Sequence, residues 1–112
     1  MTKPLPPTAV VRVSRGNFDP ANFETVKRMA IETGSYLVPA IRRLEGLITY
    51  YAAVSPDGSM VHVSVWDSEA HASQMGSLRE MVVRARADAQ QSGVEFIPVV
   101  NYPLVWTIEG HE

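Results

Sequence analysis

The seven residues Met60-Val61-His62-Val63-Ser64-Val65-Trp66 alternate strictly. In a strand, a period of two sends Val61, Val63 and Val65 to one face and Met60, His62, Ser64 and Trp66 to the other. The first face is purely apolar; the second is framed by Met60 and Trp66 and carries an imidazole and a hydroxyl. A sheet buried on both sides needs cover on both sides. A chain of 112 residues makes one modest core and has no second domain to supply that cover.

The other segments fit around this strand. Residues 1–8 hold three prolines and predict an extended N-terminal arm, leaving residues 9–112 as the domain. Residues 9–15 predict a first strand, with Val11 and Val13 set against Val10, Arg12 and Ser14. Asp19-Pro20 is a good helix start, and Phe23, Val26, Ala30, Leu37, Ile41 and Leu44 form an apolar stripe with a period near 3.6. Gly34 and Pro39 predict a kink or break between them. Residues 47–54 predict a second strand, and Ser55-Pro56-Asp57-Gly58-Ser59 a hairpin turn into the strand 60–66. If Val54 pairs with Met60, Tyr50 and Ala52 share the face of His62; a one-residue slip puts Tyr51 there instead. Asp67 or Ser68 caps the next helix, which Gly76 divides and Ser77-Leu78-Arg79-Glu80 restarts with a capping-box pattern. Leu78, Met81, Val82, Ala85 and Ala89 form its inner stripe, with Glu80–Arg84 and Arg84–Asp88 pairs outside. Residues 94–108 predict an extended run that Pro98 and Pro103 place at an edge or bend. Its end, Leu104-Val105-Trp106-Thr107-Ile108, is too apolar to stand in water unpaired.

Strand, helix, strand, strand, helix, strand is the order of a ferredoxin-like βαββαβ α+β sandwich. Right-handed crossovers put both helices on one face of the sheet. The opposite face then lacks cover, and the economical solution is a second copy, sheet against sheet, with the C-terminal strand reaching across. The expected partner is therefore the chain itself, as a homodimer.

Several function classes are disfavoured. The formal net charge of -2 offers no basic excess for nucleic acid or an anionic membrane surface. The absence of cysteine removes disulfides, thiol nucleophiles and thiolate metal sites. His62, His71 and His111 have no metal-ligand spacing, and neither a Gly-x-Ser-x-Gly elbow nor a glycine-rich phosphate loop occurs. No apolar run reaches spanning length and the N-terminus lacks a signal-peptide core, so a cytoplasmic location is the default expectation.

The element order, the junction Val65-Trp66-Asp67-Ser68-Glu69-Ala70 and the extended C-terminal strand resemble the dimeric α+β barrel superfamily. Within it, the resemblance is to antibiotic-biosynthesis-monooxygenase-like domains, over the whole chain apart from the N-terminal arm. It implies a dimer with a small cavity between sheet and helices in each subunit. The activities it implies range from cofactor-independent oxygenation of phenols or hydroquinones, through haem binding and degradation, to none. Trp66 matches the tryptophan that lines the cavity in such domains; its plainer reading is a core aromatic. His62 lies on the same side of its strand and suits a base or hydrogen-bond partner for a phenol, against a plainer role in interface packing. Tyr50 or Tyr51, with Ser64, would hydrogen-bond the bound ring, or else are half-buried strand residues with satisfied hydroxyls. The haem reading needs an axial histidine on the second helix. His71 comes early for that role, and residues 10–14 lack the polar asparagine of such relatives. His71 therefore reads better as a helix-start histidine, and Arg79, Arg84 and Arg86 as a solvated helix face.

Two functions of different kinds follow. One is a monooxygenase without cofactor, acting on a small phenolic or hydroquinone-type aromatic, with His62 as the catalytic group and Trp66, Ser64, Tyr50 and Tyr51 around the substrate. The other is a non-catalytic homodimer that binds a small apolar ligand.

Overall fold

In a computed structural model of the protein, residues 5–108 and Gly110 are described, except for the side chain of Arg79. The first four residues of the expected arm, His111 and the Arg79 side chain fall outside that description. The order is β1 (Val10–Asn17), a 3-10 turn (Pro20–Asn22), α1 (Phe23–Arg42), β2 (Leu47–Ser55) and β3 (Ser59–Trp66). It continues with α2 (Glu69–Ala72), a second 3-10 turn (Ser73–Ser77), α3 (Arg79–Gln91) and β4 (Glu95–Pro103). The four strands form one antiparallel sheet in the order β2-β3-β1-β4. This is the ferredoxin-like α+β fold.

The β2–β3 hairpin takes the first of the two registers. Val54 pairs with Met60, Ala52 with His62 and Tyr50 with Ser64. Gly58 sets the turn with φ +103°, a left-handed conformation that a side chain would strain. Its carbonyl accepts the Phe18 N–H at 2.8 Å. Pro98 lies where the β1–β4 register shifts, between the Val13–Val100 and Arg15–Ile97 pairs, as a residue without an N–H requires in a ladder.

The expected break in the first helix does not occur: α1 runs unbroken through Gly34 and Pro39. Pro39 is exposed and stands one turn from the C-terminus, so only the Ser35 carbonyl, also on the exposed side, loses its helical donor. Two further details differ in α3. Its N-cap is Leu78, one residue past the expected Ser77, and a leucine side chain offers no oxygen to accept a backbone N–H; the Ser77 hydroxyl donates back to the Gln74 carbonyl at 2.5 Å. The expected Arg84 ion pairs are replaced by stacking, with the guanidinium 4.1 Å from the Tyr36 ring centroid, while Asp88 accepts from the Tyr36 hydroxyl at 2.9 Å. Met81 is exposed rather than part of the inner stripe.

The helices cover one face of the sheet, and the core beneath them is in two parts. Val10, Leu37, Ile41, Trp66, Ala72 and Met75 pack at one end; Phe18, Val26, Met29, Met60, Ala89 and Val94 pack at the other. The other face carries no helix and presents Val11, Val13, Val61, Val63 and Val65 in its centre, flanked by exposed Tyr51 and Tyr102. Beyond β4, Leu104 donates to the Ala9 carbonyl. Val105, Trp106 and Ile108 then stand 90%, 73% and 82% exposed.

Candidate functional site

Between the two halves of the core, sheet and helices do not close on each other. A cavity of about 70 Å³ opens there, walled by Met29, Thr33 and Leu37 of α1, Val82, Ala85 and Ala89 of α3, and Met75 of the preceding turn. From the sheet come Arg12, Ser14, Tyr50, Met60, His62 and Phe96, with Arg86 at the rim. A second recess of about 450 Å³, lined mainly by the apolar groups of α1 and β2, shares Thr33, Leu37, Tyr50 and His62 with it. Tyr50 and His62 thus form a partition between two lobes.

The strand register makes this partition. Tyr50 lies opposite Ser64, two residues along β3 from His62 on the same face, a diagonal separation that an aromatic side chain spans. The Tyr50 hydroxyl and His62 Nδ1 are 2.6 Å apart, with the rings edge-on at 5.6 Å between centroids and 87° between planes. Burial pushes the Tyr50 phenol up to about 12, with the Arg12 charge opposing. Burial, and then the same Arg12 charge, lower the His62 imidazole below its ordinary value. Both groups are therefore neutral near neutral pH, and the bond between them is one of two tautomers. Either the phenol donates to Nδ1, or Nδ1–H donates to the phenol oxygen and leaves the Nε2 lone pair unprotonated.

Arg12 belongs to the same site. It pairs with Ser64 across β1–β3, while Ser14 pairs with His62, so the guanidinium is the diagonal neighbour of the imidazole. It is half-buried and, among the described residues, has no ion-pair partner. Among the described residues no Asp or Glu lines the cavity. Arg86 stacks 4.8 Å from the Phe96 ring centroid, which brings the third arginine of the expected solvated face to the cavity mouth. Opposite Arg12 in β4 lies Asn101, whose buried Oδ1 has no hydrogen-bond partner among the described residues.

Of the residues expected from sequence, His62 and Tyr50 meet in this cavity. Trp66 and Ser64 lie behind its wall: Trp66 is 0% exposed in the core, its indole N–H donating to the Ser64 hydroxyl at 2.8 Å. A buried indole needs such an acceptor, so the hydroxyl is committed to the core, and neither residue lines the cavity. Tyr51 falls on the opposite face, 63% exposed. His71 sits at the start of α2, held at 2.5 Å by Asp67 and at 3.7 Å by Glu45, and does not line the cavity. Among the described residues no cluster of three His, Cys, Asp or Glu suits a metal ion, and no helix is long and apolar enough to cross a membrane. Arg12 is the charged cavity residue of β1 that sequence reasoning missed. Its position was available, because placing Val11 and Val13 on one face commits Val10, Arg12 and Ser14 to the other.

No family model matches the sequence, and no curated protein matches it. Solved structures do match in fold. SnoaB, a cofactor-independent oxygenase from Streptomyces nogalater, is 16% identical, with a TM-score of 0.62, covering 92% of this chain and 99% of that one. A monooxygenase from the gene ActVA-Orf6 of Streptomyces coelicolor, solved with the ligand nanaomycin D, is 17% identical, with a TM-score of 0.65 over 93% of this chain and 94% of that one. A dimeric ferredoxin-like protein from an uncultured marine organism is 14% identical, also with a TM-score of 0.65 and with the same coverage of both chains. At these identities the likeness is one of fold, the ferredoxin-like α+β sandwich.

Proposed function

We propose that this chain, built on a fold shared with cofactor-independent oxygenases, is itself a monooxygenase for a small phenolic or hydroquinone-type aromatic. The observation that carries the reading is the Tyr50–His62 pair, hydrogen-bonded and set as a partition in a cavity walled largely by apolar side chains. A planar ring lies well against such walls, and a few placed polar groups orient it. With the proton on Nδ1 directed to Tyr50, His62 Nε2 takes the phenolic proton. The phenolate passes an electron to O₂, and the resulting radicals combine at a ring carbon. His62 then returns the phenolic proton to the distal oxygen of the peroxide, and loss of the ring proton with cleavage of the O–O bond leaves a ring carbonyl and water. One oxygen atom enters the product and the other leaves as water, so a phenol and O₂ give a quinone and water in balance.

The same proposal includes the homodimer, with the valine face of one sheet packed on that of a second copy. Its support is the uncovered apolar face together with the exposed tail at Val105, Trp106 and Ile108. The dimeric ferredoxin-like neighbour has the same fold.

Oxygen consumption with a panel of phenols and hydroquinones tests the enzyme reading. Turnover that falls by about 10²–10⁴ in His62→Ala supports it, the range that a positioned base contributes. Absence of turnover across the panel, with binding of apolar aromatics retained, favours a ligand-binding role for the apolar recess beside Tyr50.

A further inference from the structure

We infer that the aromatic ligand of this cavity carries a carboxylate, and that Arg12 is the residue that selects it. The inference rests on the oxygenase reading for the hydroxylated ring, but the acid group is argued from the cavity's own charges.

A guanidinium stays protonated at any physiological pH, and removing it from water costs free energy unless an anion faces it. Arg12 projects from the middle of the central strand β1 onto the helix-covered face, half-buried. Tyr50 and His62, the polar groups beside it, are neutral. Among the described residues the cavity lining holds no Asp or Glu, and the other charged group there, Arg86 at the rim, has the same sign. Among the described residues Arg12 makes no ion pair. The site is therefore one half-buried cation in a largely apolar slot, a second at its mouth, and no counter-charge among the described residues.

A ligand anion completes it. A planar carboxylate suits the guanidinium fork, which binds both oxygens at once. The slot between Met29, Met60, Met75 and Phe96 suits an aromatic ring. A carboxylate on Arg12 lies across the sheet from the Tyr50–His62 partition, so a ring held by its acid group presents a hydroxyl to the imidazole. Hydroxylated aromatic acids are the substrate class that uses all three groups.

The test is titration calorimetry of the full-length protein, without oxygen and at pH 7, with 2,5-dihydroxybenzoate and its methyl ester. The two probes share ring and hydroxyls and differ in the negative charge. The acid is expected to bind at least about tenfold more tightly than the ester, the scale of a charge-assisted pair. Arg12→Gln should abolish that preference and Arg12→Lys keep part of it, while Arg86→Gln, at the rim, should reduce it by about threefold or less. Equal binding of acid and ester by the wild type overturns the proposal without recourse to any variant, as does failure of the acid to bind at millimolar concentration. An unchanged preference in a folded Arg12→Gln overturns it too, and so does equal weakening of both probes by that variant, which would assign the cation to the phenolate. Oxygen uptake separates the two proposals. Arg12-dependent preference for the acid with no oxygen consumed keeps the acid site and ends the oxygenase reading. Oxidation of the ester as fast as the acid, unaffected by Arg12→Gln, does the reverse.

Discussion

His62 makes the chain's stability depend on pH in a direction that follows from its surroundings. Burial and the Arg12 charge both disfavour the imidazolium, so its folded pKa lies below the ordinary 6.5. The unfolded chain therefore binds the proton more readily between the two values, and stability falls as pH falls below about 6.5, down to the folded value. Above that window the contribution is fully present. Arg12 and Tyr50 are the titratable groups acting on His62, and neither changes charge in this range. Urea midpoints measured from pH 7.5 to 5 should drop more steeply for the wild type than for His62→Gln; parallel curves would contradict the burial argument. Tyr50→Phe removes the partner of Nδ1 and should cost about 1 kcal/mol, the usual net worth of such a bond. It also frees the imidazole to rotate, so oxygenase turnover should fall with it. Trp66 shows why side-chain roles were harder to read than faces. Alternation correctly put it on the cavity side of β3, but distance from the cavity is decided by α2, whose Ala72 packs on it with Leu37 and Met75.

Local sequence preferences were a good guide to strands and a poor guide to the interior of α1. Gly34 and Pro39 each lower helix propensity, which is why a break was the natural expectation. The inward stripe of Val26, Met29, Thr33, Leu37, Ala40 and Ile41 buries enough surface to override them, since packing supplies most helix stability in a folded domain. This makes a prediction. An added Cβ at Gly34 meets nothing nearer than Val38 Cγ2 at 3.9 Å, so Gly34→Ala should raise stability by about 0.5–1 kcal/mol. Gly46 should behave in the opposite way. It closes the α1–β2 turn at φ +78°, and a Cβ there runs into His71 Nδ1 and Asp67 Oδ1. Gly46→Ala combines a strained backbone with loss of the His71–Asp67 bond, and about 1–3 kcal/mol of destabilisation is expected in thermal or urea melts. The capping box failed by one position. The Ser-x-x-Glu pattern spans residues 77–80, but α3 begins one residue later than it implies, which puts Leu78 and not Ser77 at the N-cap.

The hairpin register stayed open by one residue and the order β2-β3-β1-β4 was not given, because both depend on which strands pair and how; the strand period was enough for the face on which His62 sits. It was also enough to show that one side of the sheet lacks cover, and the proposed dimer is the consequence. An isologous contact through the valine face needs roughly 800 Å² from each copy, which a four-stranded sheet with an apolar tail can supply. Sedimentation at micromolar concentration should therefore give twice the 12.4 kDa chain mass. Val63→Glu places a charge at the centre of that face and should weaken association by at least about thirtyfold, the cost of burying an unpaired carboxylate against valines. The two tryptophans make the tail's part separately visible. Trp66 is sealed in the core whatever the assembly, whereas Trp106 is exposed in the single chain. If the tail lies across a second copy, iodide should quench little of the wild-type fluorescence and a large share of that of Val63→Glu. Equal quenching in the two, with the wild type sedimenting as a dimer, would leave the paired sheets in place and remove the tail from the interface. A wild type that sediments as a monomer would mean that the valine face is stable in water, and the second copy would no longer be needed to explain it.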